Sequence, residues 1–385
     1  MAKREIRFGV IGCGLMGREF ASAAARWCHL LNLDFAPRIV AACDLNPKAV
    51  EWFAQNLPSV RLATTDYQAL LSEQEIEAIY CAVPHNLHQQ IYTDVIRAGK
   101  HLLGEKPFGI DQPANDLILQ AASQNPALLV RCSSQFPFFP GAYRLLQWLR
   151  QARFGRILEV EAGFWHSSDL DPNKPINWKR QIALNGEYGC MGDLGMHVLH
   201  IPLRLGWMPG NLRAFLSKIV SSRPDREGRL VPCETWDNAV LACEVKLPEQ
   251  HFPMFLSFKR IAPGHANTWF IRVQGTSLSA EFSTRNPKQI QFMPYALGET
   301  QEWRVADVPY QSAYQTITGA IFEFGFSDAI LQMWAAFCDE LLHGADMKQP
   351  LHCATPAETA QSHRLFTAAL ESQRSGQTVW LETQK

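Results

Sequence analysis

The sequence predicts an α/β chain. Residues 1–136 should form a parallel, doubly wound sheet, and residues 137–385 an α+β region with a mostly antiparallel sheet. Three observations carry this. Up to about residue 135, β-rich apolar runs alternate with helix-forming stretches, the pattern of right-handed strand–helix–strand crossovers. Beyond it, longer strand-like runs follow one another without helices of comparable length, the pattern of antiparallel pairing. Between the two lies FPFFPG (136–141), whose prolines and glycine mark a boundary near 136–140.

The elements follow in order. IRFGVI (6–11) is the first strand, and helix formers run from Leu15 to about Trp27. RIVAACD (38–44) is a second strand, followed by the short helix AVEWFAQN. AIYCAVP (78–84) is a third, with a helical stretch to Arg97. HLLGEKP (101–107) and LLVRCSSQF (128–136) bracket a helix near 113–124. After the boundary, a helix near 141–151 leads into RILEVEAGFWH, NLRAFLSKIV, NAVLACEVK, FPMFLSFKRI, TWFIRVQGT and LSAEFST, all read as strands. SSRPDREGRLVPCET (221–235) reads as a polar loop between two of them. Helices from about Asp328 to His343 and from Pro356 to Arg374 close the chain.

Composition narrows the function. The 385 residues are 47% apolar and 19% charged, enough for a large core and two or three domains. Lys+Arg 36 against Asp+Glu 37 leaves a net charge of −1, which argues against nucleic acid as a partner. No run of about 18 apolar residues predicts a membrane span. MAKREIRFGVIGCG reads as a strand entering a turn rather than a signal peptide. The ten cysteines form no C-x-x-C pair, and most lie in apolar runs; a reducing cytoplasm is the simple reading.

Three motifs carry chemistry. Gly12-Cys13-Gly14-Leu15-Met16-Gly17 is a G-x-G-x-x-G pattern that follows a strand and opens a helix, the context of a dinucleotide site. Gly12 permits the tight turn, Gly14 lets a pyrophosphate approach, and Gly17 lets helix and strand pack closely. The helix start, with Leu15 and Met16, offers its N–H groups to phosphate. Asp44 ends the second strand, where a carboxylate accepts a ribose 2′-OH and repels a 2′-phosphate, favouring NAD over NADP. Read alone, it is also a strand-end aspartate starting a turn with Asn46-Pro47. Gly104-Glu105-Lys106-Pro107 ends a strand at the sheet edge where such folds bind ligands, though a bare Glu-Lys-Pro is often only a charged turn. In GEYGCMGDLGMHVLH, Asp193 and His197 are spaced i, i+4, about 40° apart on one helical face, and His200 shares it. Such a trio fits a metal site, an acid–base relay, or a helix cap with packed histidines.

Together these segments resemble the glucose–fructose oxidoreductase / inositol dehydrogenase / rhizopine-catabolism (Gfo/Idh/MocA) oxidoreductases. The likeness runs through GVIGCGLMG, AVPHNLHQQIYTDVIRAGKHLLGEKP, GCMGDLGMH, TWDNAVLACEV and the Pro356–Leu381 tail. It implies a Rossmann domain (1–136) and a substrate-binding and oligomerisation domain (137–385) with an open-faced sheet. It implies hydride transfer between NAD(P) and a sugar, inositol-like polyol or derivative, with no metal. It makes Lys106, Asp193 and His197 catalytic, with Asp193 orienting the imidazole. It places Pro84, His88, Glu105, Lys106 and Gln135 at the cofactor. A homodimer or homotetramer paired through the open sheet is also implied. Trp165, Trp178 and Lys179 are read as substrate contacts, because indoles suit sugar C–H groups and lysine suits hydroxyls or carboxylates. Phe164 is read as packing the sheet. The chain departs from the family pattern at His85, Pro137, Glu187, Tyr188 and His200, which leaves the substrate unnamed. Two other functions stay open: a glycosidase or lyase of the same family with transient hydride transfer, and a non-catalytic dinucleotide sensor.

Overall fold

The structure, a computed structural model, describes residues 3–308, 312–319 and 321–381. The N-terminal part runs β1 (Arg4–Ile11), α1 (Leu15–Ala25), β2 (Phe35–Cys43), α2 (Pro47–Asn56), β3 (Leu62–Thr64), α3 (Tyr67–Ser72), β4 (Ala78–Cys81), α4 (His88–Arg97), β5 (His101–Gly104), α5 (Gln112–Ser123) and β6 (Val130–Cys132). Its six strands are all parallel, in the order β3-β2-β1-β4-β5-β6. The order reverses between β1 and β4, which opens a crevice beyond their carboxyl ends.

The rest of the chain runs α6 (Pro140–Arg150), β7 (Ile157–Trp165), α7 (Ile182–Asn185), α8 (Cys190–Arg204), β8 (Pro209–Ser217), β9 (Ser222–Pro224), β10 (Leu230–Pro232), β11 (Asn238–Lys246), β12 (His251–Lys259), β13 (Thr268–Gly275), β14 (Leu278–Ser283), β15 (Gln289–Pro294), β16 (Arg304–Asp307), α9 (Phe326–His343), α10 (Pro356–Ser375) and β17 (Val379–Trp380). Nine of these strands form a second sheet, β16-β15-β14-β13-β7-β12-β11-β8-β17. Every pairing in it is antiparallel except β7 with β12. One face carries α6, α8 and α10. The other is open, and strand alternation leaves Phe215, Val240 and Phe255 exposed on it.

The segment read as a polar loop, 221–235, is instead a hairpin of β9 and β10. Its Arg223 is buried, and its guanidinium donates to the carbonyls of Asp169 and Asp171, both at 2.5 Å. A charged residue that satisfies distant carbonyls looks like surface in a sequence, which is why the segment misleads. The short strands β3, β16 and β17 are too brief to read from periodicity.

Gly12 has φ +96°, a left-handed conformation that glycine favours, and a Cβ there would stand 2.3 Å from the Ala82 carbonyl oxygen. A Cβ on Gly17 would stand 2.1 Å from the Gly12 oxygen, so α1 crosses β1 at backbone contact. Neither neighbour is a side chain that can swing away. Gly17→Ala is therefore expected to cost about 1–3 kcal/mol, the usual range for forcing atoms into a filled site. A urea melt that leaves the midpoint unchanged would contradict this packing.

Candidate functional site

A cavity of about 1040 Å³ opens at the crevice and is walled by both sheets. Its N-terminal wall comes from the β1–α1 turn, the end of β2, and the ends of β4 and β5. Gly12, Gly14, Leu15 and Met16 line it; Gly17 sits behind, in the packing role just described. Gly14 caps α1 without a side-chain hydrogen bond, and a Cβ there would meet nothing within 4 Å. The turn thus presents helix N–H groups to open space, a ready anion site. Asp44 also lines the cavity, and its carboxylate accepts from Cys13 N and Asn46 N, each at 2.8 Å. The turn and the ribose-acceptor readings of Asp44 are therefore compatible.

Pro84, Glu105, Lys106 and Gln135 reach the cavity as expected. Glu105 is buried and accepts from the Tyr80 hydroxyl at 2.8 Å. His88 does not reach it. It is fully buried, its Nε2 3.0 Å from the Val83 oxygen and its ring stacked on Tyr92, so it braces the loop after β4 from behind. His85, three residues earlier, lines the cavity instead, edge-on to Trp178 at 4.9 Å.

The other wall is built around α8. Asp193 lies in its first turn, and His197 one turn later. Asp193 does not orient His197 by a hydrogen bond. Its Oδ1 accepts from Lys106 Nζ (2.8 Å) and Lys179 Nζ (2.7 Å), and its Oδ2 accepts from Arg260. Three cations from distant segments outcompete a neutral ring on the same helix. Burial alone would raise the Asp193 carboxyl, but the three cations outweigh it and hold it well below the usual range. Burial pushes the Lys179 ammonium down to about 8, against the pull of Asp193.

His197 is held by other groups. Its Nδ1 shares a hydrogen bond with Ser134 Oγ at 3.3 Å, its carbonyl accepts from Trp269 Nε1 at 2.9 Å, and Phe136 and Phe164 flank its ring. Burial, and then Lys106, depress its pKa well below 6.5, so the imidazole is neutral at pH 7. Phe164 both packs the sheet and lines the cavity. Trp165, expected to contact substrate, does not line the cavity. The two-residue period of β7 sends Phe164 and His166 to the cavity and Trp165 to the opposite face. There it donates to Ser257 Oγ at 2.7 Å, with the Lys259 ammonium 4.6 Å from its ring. Trp178 and Lys179 do line the cavity. His200 points away, 3.0 Å from an Arg204 nitrogen. Among the described residues, no group of three His, Cys, Asp or Glu is placed to hold a metal.

Sequence reasoning missed Ser134, Lys174 and Arg260. Only Arg260 carried any signal, as a lone arginine at the end of an apolar strand.

Comparison with known proteins agrees with the fold. Residues 6–131 match the model of an oxidoreductase family described as having an NAD-binding Rossmann fold, Gfo/Idh/MocA. Levoglucosan dehydrogenase of Pseudarthrobacter phenanthrenivorans is 24% identical over 226 residues, 58% of this chain and 57% of that protein. Mouse trans-1,2-dihydrobenzene-1,2-diol dehydrogenase is 30% identical over 164 residues, 41% of this chain and 46% of that one. The match thus spans about half the length of these curated relatives. In overall shape the likeness is complete. A levoglucosan dehydrogenase in complex with NADH and levoglucosan superposes with a TM-score of 0.87 at 20% identity, covering 99% of this chain and 100% of that one. An oxidoreductase domain protein from Kribbella flavida gives 0.89 at 20% identity, covering both chains fully. Among the described residues, no helix is long and apolar enough to cross a membrane.

Burial gives the molecule a distinctive acid response. His88, His166 and His200 are pushed down to about 3 and His363 to about 4, with His85 and His197 also well below 6.5, in each case chiefly by burial. Between pH 6.5 and about 4 the unfolded chain binds more protons than the folded one. Stability is therefore complete above pH 6.5 and falls as pH drops through this window, by up to roughly 1.4 kcal/mol per pH unit for each histidine. Asp193 and Asp169, both depressed by their cations, extend the loss below about 3.8. Urea midpoints measured at pH 7.5, 6 and 5 should fall steadily, and a flat series would mean these rings are not held neutral.

Proposed function

We propose, from the match of residues 6–131 to the Gfo/Idh/MocA oxidoreductase family, that the protein is an NAD-dependent dehydrogenase of a sugar, inositol-like polyol or related derivative. The observation that carries it is the convergence of Lys106, Asp193 and His197 on the cavity that the glycine turn also lines. The residues fit the dinucleotide: open space at Gly14 for the pyrophosphate, α1's N-terminus for its charge, and Asp44 for the ribose. When bound, NAD supplies a hydride acceptor at nicotinamide C4.

The chain's own residues then manage the proton. The substrate hydroxyl lies between Lys106 and His197. His197 accepts its proton on Nε2, because Nδ1 is engaged by Ser134. A neutral imidazole is ready for this at pH 7. Asp193 favours the imidazolium through space, partly offsetting burial and Lys106. Lys106, fixed by the Asp193 carboxylate and carbonyl, donates to the same oxygen and stabilises its developing negative charge. The relatives named dehydrogenase and the superposed NADH complex support the reading. It extends to a cytoplasmic location, supported by ten unpaired thiols, and to a homodimer or homotetramer paired through the open sheet face.

Gly14→Val should abolish NADH binding in a fluorescence titration, because its side chain fills the pyrophosphate path; unchanged affinity would refute the cofactor site. Against a panel of sugars, polyols and sugar acids with NAD and NADP, His197→Ala and Lys106→Met should each lower kcat by on the order of 10²–10⁴ with NADH affinity kept. Wild-type activity that survives both changes would remove them from the mechanism. Ser134→Ala should lower kcat about tenfold, the loss of one net hydrogen bond of roughly 1.4 kcal/mol, and leave KM nearly unchanged. Ser134→Thr should restore much of it, and a mutant with wild-type kcat would show that Ser134 does not position the ring.

A further inference from the structure

We propose that the substrate is an acidic sugar or polyol acid, bound with its carboxylate on Lys179 and Lys174. This rests on the function just proposed and names its substrate class.

The charges around the cavity are unequal. At the α8 wall four cationic side chains, Lys106, Lys174, Lys179 and Arg260, face one carboxylate, Asp193. The cavity's other carboxylates, Asp44 and Glu105, stand on the cofactor wall and are already hydrogen-bonded there. Behind the α8 wall the ion pairs join into one network. Asp193 holds Lys106, Lys179 and Arg260; Asp169 holds Arg260, Arg180 and Lys174; Asp237 holds Arg180. Five cations thus share three carboxylates. The network carries two more positive charges than its own carboxylates balance, and the exposed ends of Lys174 and Lys179 bring that excess to the cavity, where an anion is favoured.

The donors still available show where that anion goes. Arg260 is buried and spends three of its five donors: Nε donates to Asp169 at 2.6 Å, Nη1 to Asp193, and Nη2 to Ser168 Oγ at 3.2 Å. Lys106 spends two of its three donors on Asp193, leaving one for the reacting oxygen. Lys179 spends one on Asp193 and keeps two, with its side chain 29% exposed. Lys174 spends one on the Ser168 carbonyl at 2.6 Å, lies 3.5 Å from Asp169, and is 42% exposed. Two ammonium groups with spare donors therefore stand on the cavity, and Lys179 shares an Asp193 oxygen with Lys106. A substrate carboxylate satisfies both donors and charge. A hydroxyl in its place satisfies the donors but leaves the charge unbalanced.

The test compares acids with their uncharged amides, so that shape is held and charge alone changes. Hexuronates and aldonates, each with its matching amide, are titrated into the NADH-loaded enzyme and followed by the fluorescence of bound NADH. At least one acid should bind tenfold or more tightly than its amide, and the gap should shrink as salt is raised. Lys179→Met should weaken that acid at least tenfold while hardly moving the amide, Lys174→Met should do so less, and Lys179→Arg should retain the preference. NADH affinity reports that each variant has folded. Failure of the wild-type protein to bind NADH would sink the preceding function. A protein that binds NADH but holds every amide as tightly as its acid, or holds no acid, sinks this proposal alone. So does a preference for acids that Lys179→Met and Lys174→Met leave intact, or a sugar phosphate bound in preference to every carboxylate.

Discussion

The candidate site is organised by one buried carboxylate. Asp193 brings together Lys106 from the end of β5, Lys179 from the turn before α7, and Arg260 from the end of β12. These groups come from both sheets, and α8 carries the carboxylate between them. Desolvating such ions costs several kcal/mol each, and only close, multiple pairing offsets it. The network is therefore poor evidence for great stability but strong evidence for fixed geometry. Each cation can sit in few places without stranding the others, so the wall of the cavity inherits its shape from a charge balance.

The same dehydration sets the state of the histidines. A ring that stays neutral at pH 7 is a proton acceptor without prior deprotonation. His197 combines that state with a serine on one nitrogen and an aromatic enclosure of Phe136 and Phe164. Its surroundings do the tuning that the shared helical face with Asp193 suggested Asp193 would do. Electrostatics over one helical turn and a hydrogen bond from another segment divide between them the task first assigned to one residue.

Much of this was legible in the chain. Alternation of strands and helices, the glycine turn with its flanking strand, and the i, i+4 pair on α8 are local patterns, and local patterns survive in a sequence. Lys106 and Asp193 were both identified, although their contact spans 87 positions. What failed to show was direction and partnership. The Trp165 indole suits a sugar's C–H groups, which points it to the cavity in a sequence reading, yet one step along the pleat reverses a side chain. His88 sits in a motif at the cofactor edge, but its ring turns inward to a carbonyl. Arg260 and Ser134 matter only through atoms 67 and 63 residues away, and no periodicity announces such pairs. The hairpin at 222–232 was hidden because its buried arginine reads as surface.

The covering of the first sheet has a consequence for how the chain is made. Helix α9, from the last fifth of the sequence, lies beside α1, and its Trp334 stacks on Phe20 at 3.6 Å and meets Phe8 and Trp27 edge-on. Phe20 and Trp334 are 314 residues apart, so during synthesis the first sheet emerges with an aromatic face that has no cover for most of translation. At about 5–20 residues per second, that interval is on the order of tens of seconds. Contacts this far apart in sequence also make folding slow. The dinucleotide crevice, although encoded almost entirely before residue 136, becomes a finished surface only when nearly the whole chain has left the ribosome.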